Sequence, residues 1–101
     1  MKKGKLKLLA IVTISALLMS FSLTARAQDA AAAFKTRCAM CHGADGSKMA
    51  AHNLQSAEVQ KMSDGDIADT ITNGKGRMPG SRSLKPEDVK GIVSFVRTLK
   101  R

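Results

Sequence analysis

Hydrophobic and polar positions divide the chain into one uniform stretch and several periodic ones. Leu8 to Leu23 is almost continuously apolar, interrupted only by Thr and Ser, and carries no charge. After it the pattern changes. "DAAAAFKTRCAMCHG" has no Gly or Pro before Gly43, which predicts a helix from Asp29 to Cys41 with Asp29 as its N-cap. "ADGSKMAAHNLQS" shows no sustained period and is expected to be loop, and "SAEVQKM" is long enough for one short helical turn. In "SDGDIADTITNG", Ile67 and Ile71 repeat at i, i+4, and Asn73-Gly74 supplies a stop. Ser63 with Asp66 three residues on resembles a capping box. "GKGRMPGSRS" is expected to be a loop. The strongest helix is "LKPEDVKGIVSFVRTLKR". Pro86 suits its first position, and Glu87 and Asp88 suit its positive end. Val89, Ile92, Val93, Val96 and Leu99 form its apolar stripe. Gly91 inside it is either a point of close helix approach or a tolerated surface glycine. No stretch alternates as a strand does, so the expected fold is all-α.

Charge explains the uniform stretch. Four lysines in "MKKGKLK" precede it, and Ala25-Arg26-Ala27 follows it. Basic, apolar and small-residue regions in that order read as a secretory signal peptide at residues 1–27, leaving a domain at 28–101. The run is shorter than the ~20 residues of a membrane span, so no stable membrane insertion is expected after cleavage. Five of the 17 cations belong to the leader, and all eight acids follow it, so the +9 of the whole chain falls to +4 in the domain. That mild charge, without Trp or Tyr to stack on bases, does not point to nucleic acid.

The domain is thin in core material, with Phe34 and Phe95 its only aromatics. A domain of this size usually needs a staple: a disulfide, a metal or a large apolar cofactor. A Cys38–Cys41 disulfide closes too small a loop to hold the distant C-terminal half.

The chemistry therefore centres on "CAMCH", Cys38 to His42, which holds both cysteines of the chain. On a helix Cys38, Cys41 and His42 share one face. Two thiols one turn apart can form thioethers with the two vinyl groups on one haem edge, and the next histidine can bind the iron. C-x-x-C-H is the c-type haem attachment signature for this reason, and an exported chain is where it is used. Zinc held by Cys38, Cys41, His42 and His52 is a rival reading. A thioredoxin-like pair lacks its βαβ context, and an inert disulfide is the bland alternative.

With "FKTRCAMCHGADG", "DIADTITNGKGRMPG" and "LKPEDVKGIVSFVRTLK", the chain resembles the small class I c-type cytochromes, single-haem carriers of the bacterial periplasm. The resemblance implies an all-α fold in which N- and C-terminal helices cross and one covalent haem c fills the centre. It implies a role for Phe34 at that crossing, with Phe95 its counterpart. It also implies thioethers at Cys38 and Cys41, His42 as one axial ligand, and a second ligand from a Met-Pro loop. Met78-Pro79 in "NGKGRMPG" matches. Met40 cannot reach across the ring, Met62 reads as core, and Met49 and His52 lie in the long loop. Much of the family has a proline after the attachment motif, near a carbonyl that takes the proton of the ligating histidine. Here His52 stands in its place, leaving Ala51 or His52 to offer that carbonyl.

His42/Met78 ligation raises the reduction potential and closes the iron to small ligands, so the expected activity is one-electron transfer without substrate catalysis. The alternatives are a haem protein with a labile sixth ligand, acting as sensor or weak peroxidase, and a haem-free module. Lys75, Arg77, Arg82 and Lys85 cluster around Met78, as a docking face for acidic redox partners would. A monomer in the periplasm is expected.

Overall fold

The computed structural model describes residues 25–101. All but the last three residues of the leader expected at 1–27 lie outside that range. The described chain is all-α apart from one two-residue ladder.

Helix α1 occupies residues 25–37. Asp29 is inside it and not its N-cap, because Ala25, Arg26 and Ala27 favour the helix and already continue it. The single helix expected to Cys41 is divided at Cys38. There φ is −113°, and a one-turn helix α2, Ala39–His42, follows before Gly43 ends it. The long loop holds a 3-10 turn, Ala50–His52. Helix α3 is Ala57–Lys61, capped by Ser56, whose side chain accepts from Val59 N. Helix α4 is Asp64–Asn73, and Ser63 caps it by accepting from Asp66 N at 3.1 Å. The expected return bond from Asp66 is not made. At α5, Pro86–Thr98, the carboxylate of Asp88 instead accepts from Lys85 N at 3.2 Å. Strands β1, Gly74–Lys75, and β2, Met78–Pro79, pair antiparallel.

The core is one cluster drawn from three helices: Phe34 of α1, Ile67 and Ile71 of α4, and Val89, Ile92, Val93 and Val96 of α5. Leu54, Val59, Met62 and Leu99 pack against it from the edge. Each fully buried side chain of this kind contributes about 1.5–3 kcal/mol by leaving water. The terminal helices cross with small residues in contact. A Cβ built on Gly91 would stand 3.2 Å from the Cβ of Ala30, so Gly91 is a point of close approach.

Arg97 of α5 ties the α3–α4 corner to the core. Its guanidinium donates to Gln60 O at 2.8 Å, to Met62 O at 2.6 Å and to Asp64 Oδ1 at 2.8 and 3.0 Å. Gln60 reaches back, its Nε2 donating to Leu54 O at 2.8 Å and to Val96 O at 3.0 Å. Sequence reading missed both residues, since their acceptors are mostly backbone carbonyls with no residue-type signature.

Candidate cofactor site

The helical turn from Cys38 brings three of the four expected site residues together. The carbonyl of Cys38 accepts from Cys41 N at 3.2 Å and from His42 N at 2.9 Å, while Cys38 N donates to Phe34 O at 2.8 Å. The turn thus continues the hydrogen bonding of α1. Cys38 is half-buried against the core, Cys41 is exposed, and both thiols are free. Burial pushes the Cys38 thiol up, partly offset by the Arg37 guanidinium.

His42 is half-buried, and its Nδ1 is fully buried with no hydrogen-bond partner. Burial, aided by the charge of His52, lowers its affinity for a proton. A neutral imidazole is the form that ligates a metal. The carbonyl expected from Ala51 or His52 is not bonded to it. Those residues are wound into the 3-10 turn, where His52 N donates to Met49 O at 3.1 Å. The loop is otherwise well tied. His42 O accepts from Lys48 N at 3.0 Å, Gly46 O accepts from Leu54 N at 3.0 Å, and Gln55 Nε2 donates to Asp45 O at 2.8 Å. Ser47 donates to Asp45 Oδ1 from its hydroxyl at 2.7 Å and from its backbone at 3.0 Å, which holds that carboxyl below its usual range.

Met78 lies on a separate element and is half-buried. The expected loop is a two-residue hairpin in which Lys75 pairs with Met78 and Gly74 with Pro79. Gly76 takes φ +57° at the first turn position, as the tight turns that match strand twist require. The hairpin is fastened to the end of α4. Gly74 N donates to Thr70 O, and Ser81 N donates to Ile71 O at 2.8 Å. A Cβ on Gly74 would run into Met78 O, and one on Gly80 into the backbone of Thr72 and Asn73. These contacts leave the hairpin one seat.

The other candidate ligands lie in different surroundings. Met40 is 80% exposed, Met49 and His52 are exposed on the loop, and Met62 packs against the core. Among the described residues no three His, Cys, Asp or Glu side chains converge as a metal cluster, so the zinc tetrad does not assemble. A groove of about 450 Å³ between α4 and α5, lined by Ala68, Leu84, Val89 and Val93, contains none of the four site residues.

The donor set fits a haem: two free thiols one turn apart, a neutral imidazole beside them, and a thioether on a pinned hairpin. Lys75, Arg77, Arg82 and Lys85 around that hairpin are all exposed. Arg37, beside Cys38, donates to Ser83 Oγ at 3.2 Å and links the attachment turn to the segment after the hairpin. No helix among the described residues is long and apolar enough to cross a membrane.

A family model described as cytochrome c oxidase, cbb3-type, subunit III, matches residues 25–96. No curated protein matches the chain.

Proposed function

The chain belongs to this cytochrome family, and from that premise we propose that it is a periplasmic carrier of single electrons, built on one haem. It is a small c-type cytochrome of the all-α class I fold, with covalent haem c and redox proteins as its partners. In the proposed arrangement Cys38 and Cys41 would hold the haem through thioethers, and His42 and Met78 would ligate its iron. Cleavage after Ala27 releases residues 28–101 to the periplasm.

The observation that carries the reading is the single turn that unites Cys38, Cys41 and His42. When bound, the haem supplies one-electron Fe(II)/Fe(III) chemistry. The protein's part is to hold and tune it. His42, kept neutral by burial, presents a lone pair. Met78 is delivered by a hairpin that cannot shift along α4. A neutral thioether favours the less charged, reduced iron and raises the potential. With His42 and Met78 both ligating, the protein would leave no iron position for a substrate, and the proposed role is electron transfer without substrate catalysis. The exposed cations near Met78 steer acidic partners toward the site.

The family's description names an oxidase subunit, which favours one second reading: this domain works docked on a membrane oxidase instead of diffusing between partners. Co-purification from native membranes at low salt separates the two. Mass spectrometry of the exported protein tests the main reading. It should show residues 28–101 plus the mass of one haem. An exported chain of unmodified mass would end the cytochrome assignment.

A further inference from the structure

A helix of one turn leaves its last carbonyls without helical donors, and α2 ends on the residue proposed to bind iron. Gly43 N donates to Ala39 O at 2.8 Å. Met40 O and His42 O are both served by one residue from outside the helix. Lys48 donates its backbone N–H to His42 O at 3.0 Å and its ammonium to Met40 O at 3.0 Å. Gly43 makes room for this return of the chain. It stands at φ +82°, and a Cβ built on it would lie 2.9 Å from the Cβ of Lys48. The side chain of Lys48 is exposed, yet its ammonium closes on the carbonyl end of the helix, where a cationic donor is favoured. Among the described residues the one ion pair is Arg97–Asp64, so no paired carboxylate there cancels the charge on Lys48.

We propose that Lys48 is a positioning residue for the haem ligand His42, its two donors closing the attachment turn at the end that the thioethers do not reach. The inference rests on the proposed ligation by His42 and adds the group that steadies it. Cys38 and Cys41 would anchor the turn through their own side chains. His42 follows the second of them, and at Gly43 the backbone leaves the helix. Lys48 ties that free end twice, through Met40 O before the ligand and through the carbonyl of His42 itself. The same contact fixes a positive charge on the turn that carries the ligand. A cation held there disfavours Fe(III) relative to Fe(II) and raises the potential.

The test uses the haem-loaded protein and two variants. Lys48→Met keeps the stem and the backbone N–H and removes the ammonium. Lys48→Arg keeps a cationic donor. In the ferrous protein, hydrogen exchange at the Gly43 amide should be about threefold or more faster in Lys48→Met than in wild type, with exchange at Val93 of α5 unchanged. The midpoint potential of Lys48→Met should fall. Lys48→Arg should keep both values near wild type. Unchanged exchange at Gly43 in Lys48→Met overturns the inference. So does an equal rise at Val93, which would mean a general loss of stability. An unchanged potential overturns it too, because the contact would then not reach the ligand, and so does Lys48→Arg behaving as Lys48→Met. A wild-type protein without haem, or one whose His42 ring shows no iron-shifted resonances, removes the ligand itself. That failure is distinct from a haem-loaded Lys48→Met protein that matches wild type.

Discussion

The rings of Phe34 and Phe95 meet with their centroids 4.8 Å apart and their planes inclined by 47°. The pair joins α1 to α5 and sets Phe34, 2% exposed, one helical turn before Cys38. Packing of the terminal helices and placement of the attachment turn are thus one event. Phe34→Ala should cost about 3–5 kcal/mol of stability, measured by denaturant unfolding of the haem-loaded protein. Phe95→Leu, at a half-buried site, should cost less than half as much.

Arg97 offers a second test of the fold. Arg97→Ala strips the partner from the carbonyls of Gln60 and Met62 and should cost about 1–3 kcal/mol. Asp64→Ala removes only an exposed carboxylate from the same guanidinium and should cost about 0.5 kcal/mol or less. Equal losses from the two variants would mean that the ion pair, and not the carbonyl clamp, holds the corner.

Met78→Ala should leave haem attachment intact, since both thiols and His42 stay in place. The reduced variant should bind carbon monoxide at neutral pH, which wild type should not. The methionine–iron charge-transfer band should vanish and the potential should fall. Carbon monoxide binding by the wild-type protein would favour the sensor or peroxidase alternative.

Charge around the hairpin predicts a kinetic effect with little thermodynamic one. Replacing Lys75, Arg77, Arg82 and Lys85 by Gln should slow reduction or oxidation by an acidic partner about tenfold or more at low salt. The difference should fade as ionic strength rises. A wild-type rate independent of salt would remove the docking face.

Acid should destabilise the protein through His42. Burial and the charge of His52 hold its folded-state pKa below the ordinary 6.5. Below that value the unfolded chain binds more protons than the folded one. The contribution is therefore complete above about pH 6.5 and is lost as pH falls toward the folded-state pKa, and the proposed ligation to iron would add to the same trend. Denaturant midpoints at about pH 7.5 and about pH 5 should differ in that direction, and His42 should be the group responsible.

Much of this was legible in the sequence because it depended on local rules. The stripe on α5 and the Ile67–Ile71 pair are periodicities, and all their residues are buried except Leu99, which is partly buried at the C-cap. Cys38, Cys41 and His42 are brought together by helical geometry alone. What escaped depended on relations between distant segments. The Arg97 clamp uses carbonyls more than 30 residues away. Gly91 meets Ala30 across the helix crossing, a contact that no local pattern records. The ladder at Gly74–Pro79 is too short to show alternation. Asp29 is not a cap in the full chain because Ala25, Arg26 and Ala27 precede it in helix, and the proposed cleavage after Ala27 would remove all three.

The fastening of the Met78 hairpin makes it share the fate of the last turn of α4. Gly74 N and Ser81 N both hang from carbonyls of that turn, so the hairpin is released only when the turn frays. They form one cooperative opening unit of the native state. Under the proposed ligation, the fraction of time Met78 spends detached should then follow the local unfolding equilibrium of a helix end, which the amide of Ser81 reports. Hydrogen exchange at that single position should give the population in which Met78 is released.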